Sequence, residues 1–184
     1  MSSFQQTLDF NKKLLRPAHR LIARIFATEY MQRTIVKPLN DIDLDKRAGI
    51  DSKVEFKDID VNFSIQEKYR THDKLTFKDF TQELYNAYGT VHQSDGEFKH
   101  LFANYYFYGW ANEDETDFKE YFLMDIQQYK ILVLQVGGLD KIPNVKKVQN
   151  NTCGKALFYT IPLEFIAPAI VAWSPGLDYL KDKK

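Results

Sequence analysis

Apolar residues recur with two different periods along the chain. Between residues 18 and 33, Leu21, Ile22, Ile25 and Phe26 return at helical spacing while Arg20 and Arg24 fall elsewhere on the wheel, which predicts a helix. Pro17 stands just ahead of it, at a first-turn position where a missing N–H does no harm. Residues 34 to 48, rich in Asp and Lys, read as a loop. From residue 49 the period drops to two. In GIDSKVEFK, residues 49 to 57, Val54 and Phe56 share one face and Asp51, Lys53 and Glu55 the other. In VNFSIQEKYR, residues 61 to 70, Phe63, Ile65 and Tyr69 oppose Ser64, Gln66, Lys68 and Arg70. With a turn around Asp58, Ile59 and Asp60, the two runs predict a hairpin. Glu67 breaks the pattern by placing a charge on the apolar side.

The rest of the chain continues the strand signal. Phe77 to Tyr85 predicts a third strand, the run YYFYGW within 99 to 111 a buried one, and FKEYFLMDI (118 to 126) another. Gln127 to Val136 reads as a helix stopped by Gly137 and Gly138, Ala156 to Ile161 as a last strand, and Leu163 to Ala172 as a short apolar helix. Helix, several strands, helix, strand, helix describes an α/β domain with a mixed sheet. No repeat, low-complexity run or long linker divides residues 1–184, which predicts a single domain.

Composition narrows the picture. In 184 residues, 44% hydrophobic and 15% aromatic content suffices for a packed core. The 25 basic and 25 acidic residues cancel, so indiscriminate attraction to phosphate is not expected and any nucleic-acid partner must be held by a local site. Cys153 is the only cysteine, which allows no internal disulfide and fits a reducing compartment. Residues 1 to 10 lack a signal-peptide pattern. The longest apolar region, 161 to 173, is broken by Pro162, Glu164 and Pro168 and is too short to span a bilayer. The expectation is a soluble, cytoplasmic protein with no membrane partner.

The chemistry concentrates on the hairpin. Cleaving a phosphodiester with a hard cation needs oxygen ligands, an activated water and a positive group near the phosphate. Asp51 offers a carboxylate and Gln66 an amide oxygen. Lys68, two residues on, emerges on the same face as Gln66. At these residues the chain resembles the PD-(D/E)XK nuclease superfamily. Asp51 in GID matches the Asp at the start of one strand, and Gln66-Glu67-Lys68, flanked by Ile65, Tyr69 and Arg70, matches a Gln-x-Lys variant on the next. The specific motif spans residues 49 to 70. The resemblance implies a restriction-endonuclease-like core, a mixed β-sheet flanked by helices. It also implies a Mg²⁺ ion, with Mn²⁺ as a substitute, held by Asp51, Gln66 and the backbone carbonyl of Glu67, with Lys68 serving the attacking water.

Two departures stand out. Ile50 precedes Asp51 where the superfamily's name has Pro, at a variable position. Gln66 replaces the commoner Glu and removes one negative charge, so either Mg²⁺ affinity falls or a further carboxylate helps. Glu29 continues the face of Ile22, Ile25 and Phe26, and it matches a Glu that many superfamily members carry on the preceding helix. Glu83 is a second candidate. Tyr69, Arg70, Arg47 and Lys74 are candidates for contact with nucleic acid. The expected activity is that of a Mg²⁺-dependent deoxyribonuclease. The alternative is a catalytically weak or inactive nucleic-acid-binding or partner-binding protein on the same fold, and the apolar segment 161 to 173 leaves a homodimer open.

Other patterns carry less. Gln66 and Lys68 also fit the solvent face of an antiparallel pair. Asp41, Asp43 and Asp45 suggest a calcium loop, but Lys46 stands where that loop needs Gly and Ser52 where it needs Glu. His19, His72, His92 and His100 show no metal-ligand spacing with Cys153. Gln82 and Tyr85 match a Gln-x-x-Tyr element of some exonuclease relatives over four residues only.

Overall fold

A computed structural model describes residues 3–30, 33–39, 48–150 and 155–183. Helix α1 (Ser3–Tyr30) is 28 residues long and carries Pro17 in its interior, not in its first turn. An internal proline forfeits one rung of the helical ladder. The helix continues through it because Leu14, Ala18, Ile22 and Phe26, four residues apart, form one fully buried stripe on both sides of Pro17.

The segment after α1, expected to be loop, contains the edge strand β1 (Thr34–Pro38), paired antiparallel with β2 (Ser52–Phe56). Five residues with a mostly exposed pattern give little periodic signal, and a proline is tolerated at a sheet edge. The hairpin forms as its alternation predicts. β2 pairs with β3 (Asn62–Arg70) in the register Ser52↔Ile65 and Val54↔Phe63. Val54, Phe56 and Ile65 are buried under α1 with Ala18, Ile22 and Phe26.

Past β3 the chain leaves this sheet. A 3₁₀ turn (His72–Phe77) leads to β4 (Asp79–Asn86), the third strand expected from the sequence, which joins a second sheet with β5 (Ser94–Asp95). β6 (Tyr105–Ala111) then returns to lie parallel to β3, opposite Gln66 at Tyr106 and Lys68 at Tyr108. β7 (Phe118–Asp125) pairs antiparallel with β6. It leads into α2 (Ile126–Gln135), whose first turn is capped by the Asp125 carboxylate accepting the Gln128 N–H. β8 (Lys146–Gln149) and β9 (Leu157–Pro162) complete the second sheet. The apolar helix expected over 163 to 172 lasts one turn as α3 (Leu163–Ile166). After Pro168 the chain extends into β10 (Ile170–Trp173) on the free edge of β7.

The protein is thus α/β, with a mixed six-stranded sheet ordered β1-β2-β3-β6-β7-β10 and a four-stranded antiparallel sheet ordered β5-β4-β9-β8. α1 covers one face of the large sheet and the second sheet covers the other. β6 explains the arrangement. Phe107 meets the α1 side, while Tyr106, Tyr108 and Trp110 meet Phe80, Phe122, Tyr159 and Ile161. A strand buried on both faces reads as an unbroken apolar run. No helix among the described residues is long and apolar enough to cross a membrane.

Candidate active site

Asp51 stands one residue before β2. Its N–H donates to the Ile65 carbonyl (2.9 Å) and its Oδ2 accepts the Glu67 N–H (2.6 Å), so a side chain continues the ladder where the strand has ended. In such a ladder the N–H and C=O of one residue leave the strand on the same edge. The Glu67 carbonyl therefore faces the edge that the Asp51 carboxylate occupies.

The opposite alternation of β3 turns Gln66, Lys68 and Arg70 toward the second sheet. Gln66 is only 8% exposed, and its Oε1 is buried with no hydrogen-bond partner. Lys68 Nζ lies 3.3 Å from Glu97 Oε2 and 3.8 Å from Glu83 Oε1. Burial pulls the ammonium's pKa down, but the charges of Glu97 and Glu83 outweigh it and hold the group above the ordinary lysine value. Lys68 is therefore a cation at neutral pH, suited to stabilising negative charge. Arg70 donates inward, to Thr81 Oγ1 (2.8 Å) and the Tyr108 hydroxyl (2.7 Å).

The α1 side of β3 holds a group that alternation marked only as an anomaly. The Glu67 carboxylate accepts the Ser52 and Tyr69 hydroxyls, with His19 Nε2 at 3.1 Å, and its side chain is 3% exposed. A buried carboxylate is tolerated when its lone pairs are taken up in this way. Tyr69 is committed here too. Its ring packs edge-on to Phe107 and Phe118, and burial together with the Glu67 charge pushes its phenol far above the ordinary range. Tyr69 and Arg70 both line an open cleft, Tyr69 donating its hydroxyl to Glu67 and Arg70 its Nη1 to Thr81 and Tyr108. Arg47 and the Asp41, Asp43, Asp45 run lie outside the described residues.

One correction concerns the helper carboxylate. Glu29 is exposed. The buried stripe of α1 steps by four through Leu14, Ala18, Ile22 and Phe26, and Glu29 falls beside that line, not on it. Phe26 packs on Phe56, Phe63 and Tyr105, at the start of β3. The α1 residue that reaches the site is His19, ten residues or about 15 Å back along the axis. Glu97 comes to Lys68 in its place. It follows Gly96, whose N–H donates to the Leu84 carbonyl (2.8 Å) and where a Cβ would lie 2.6–2.8 Å from the backbone of Glu83 and Leu84. The Glu97 carboxylate accepts the Tyr106 hydroxyl and Gln82 Nε2 (3.3 Å). Nothing in the local pattern of SDGEFKH marks Glu97, and only the pairing of β4 with β5 brings it in. Glu83, the second candidate, is brought to Lys68 as well.

Lys68 and Glu83 stand between two openings. An open cleft of about 1230 Å³ runs between the first turns of α1, including Lys12 and Lys13, and Asp51, Glu67 and Lys68. A second of about 680 Å³ is lined by Gly49, Gln66, Lys68, Glu83 and Glu97. Among the described residues no three His, Cys, Asp or Glu side chains converge as a cation shell. A cation here would draw on Asp51, the Glu67 carbonyl and the orphaned Gln66 Oε1, with water completing the shell, as Mg²⁺ readily accepts.

Gly49 fixes the approach to Asp51. Its φ of +57° is a left-handed conformation, and a Cβ there would lie 2.8 Å from Gln66 Oε1 and 2.9 Å from the His100 carbonyl. Gly49→Ala is expected to cost about 1–3 kcal/mol, read as a lowered urea midpoint. An unchanged midpoint would mean that the turn tolerates a side chain.

No protein-family model matches the chain, no curated protein matches it in sequence, and no solved structure matches its fold.

Proposed function

We propose that this protein is a metal-dependent nuclease that hydrolyses phosphodiester bonds, DNA being the first substrate to test, on the plan of the PD-(D/E)XK superfamily. The observation that carries the reading is the meeting of the Asp51 carboxylate, the Glu67 backbone and the Lys68 ammonium around one open cleft at the end of the β2–β3 hairpin. A bound Mg²⁺ or Mn²⁺ would supply Lewis-acid polarisation of a phosphoryl oxygen and a more acidic water. Asp51, Gln66 Oε1 and the Glu67 carbonyl would hold it. Lys68 orients the attacking water and offsets the charge that grows on the phosphoryl oxygens. Without substrate, Glu83 and Glu97 neutralise Lys68, and an incoming phosphate competes with them for the ammonium.

The parent protein is expected to cut single- or double-stranded DNA with Mg²⁺ or Mn²⁺ and to stop on chelation. Asp51→Asn is expected to lose at least about a hundredfold in rate, because it weakens both the cation and the ladder at Glu67. Absence of cleavage of DNA and RNA under every metal condition sinks the proposal. One observation favours a second reading. Lys68 already has two carboxylate partners, which also suits a nucleic-acid-binding or partner-binding protein on which the chemistry is silent. Metal-independent binding of DNA without cleavage would establish that instead.

A further inference from the structure

Between β3 and the second sheet, one side-chain oxygen on each wall lacks a donor. Gln66 Oε1 and Gln82 Oε1 are both buried and unpartnered, on residues 8% and 0% exposed. Turning the Gln82 amide over does not relieve it, since that would set its oxygen against the Glu97 carboxylate that its Nε2 now meets. Leaving a buried acceptor unmade is costly, and the orphaned Gln66 Oε1, on a cavity that the Glu97 carboxylate also lines, calls for a positively polarised ligand. Charge points the same way, because Glu83 and Glu97 share the single ammonium of Lys68. Gln66 and Glu97 line the same cavity. Glu97 is itself held still, by the Tyr106 hydroxyl on one oxygen and Gln82 on the other.

We infer that the divalent cation of the functional reading, of the Mg²⁺ class, takes Glu97 as a further carboxylate ligand from the second sheet beside Gln66 Oε1, with Gln82 as the residue that positions Glu97. The inference rests on the functional reading above for the Asp51 side of the site. It supplies the negative charge lost where Gln66 stands in place of Glu, and it takes that charge from the β4–β5 hairpin, not from α1. A shell of four protein oxygens completed by retained water suits Mg²⁺, which surrenders its hydration reluctantly. Lys68 does not bar the site, since Glu83 already lies within ion-pair distance and can take the ammonium alone.

Titration of the full chain with Mn²⁺, followed by calorimetry and by the Mn²⁺ electron-spin signal without nucleic acid, tests this apart from activity. Glu97→Gln keeps the shape and the Tyr106 contact, and circular dichroism checks its fold. It is expected to weaken Mn²⁺ binding by about tenfold to a hundredfold, with Gln82→Leu following in the same direction and Glu29→Gln binding as the parent does. Parent-like affinity in Glu97→Gln overturns the inference. If Asp51→Asn still loses affinity in that case, the cation of the functional reading survives with another shell. A parent protein that binds no Mn²⁺ at millimolar concentration overturns both.

Discussion

Lys68→Ala is expected to lower kcat/KM for DNA cleavage by about 10²–10³-fold, with the loss carried by kcat. The ammonium is held above the ordinary lysine pKa by Glu97 and Glu83 against the pull of burial, so it arrives at the phosphate charged. The other strong cation on this face, Arg70, is committed to Thr81 and Tyr108 and does not replace it. Removal also leaves Glu83 and Glu97 facing each other without a counter-charge, which raises the electrostatic cost of bringing a phosphate into the cleft. The effect on stability is smaller, about 1 kcal/mol, because the ion pairs are in part open to water. A urea midpoint measured beside the kinetics separates the two. The same variant frees Glu97 and is expected to bind Mn²⁺ at least as tightly as the parent. Cleavage by Lys68→Ala at the parental rate would remove Lys68 from the mechanism.

Phe80→Ala is expected to cost about 3–5 kcal/mol, a large share of the 5–15 kcal/mol that separates a typical folded domain from its unfolded chain. Phe80 is fully buried at the centre of the inter-sheet core. Its ring stands edge-on to Tyr106 (5.2 Å between centroids), Tyr108 (5.3 Å), Tyr129 (5.5 Å) and Phe122 (6.2 Å). Truncation removes the apolar transfer term, leaves a cavity, and loses edge-to-face contacts that four rigid rings cannot recover by collapsing. Phe80 directly precedes Thr81, Gln82 and Glu83, so a loosened β4 also loosens the partners of Lys68 and Glu97. Phe80→Leu is expected to recover most of the stability. Chemical denaturation followed by Trp110 and Trp173 fluorescence measures both, and a loss below about 1 kcal/mol for Phe80→Ala would show that the two sheets do not depend on this cluster.

The sequence by itself determined what is local. Period two fixed the β2–β3 hairpin, its turn, and the faces on which Gln66 and Lys68 oppose Ile65 and Tyr69. The charge on the apolar face at Glu67 was visible as an anomaly, although its partners were not. The recurrence of Ile22 and Phe26 at helical spacing marked the helix itself, though not the longer stripe from Leu14 that the structure buries. Tertiary structure alone decided the rest, because period and propensity say nothing about which distant elements meet. It sent β4 to a second sheet, drew β10 out of an apolar segment that looked helical, and carried α1 through Pro17, since packing outweighs a single lost rung. It left Glu29 exposed and brought Glu97 to Lys68 for the same reason. A residue 29 positions away along the chain from Lys68 is its neighbour only once β4 and β5 have paired and Gly96 has let two backbones touch.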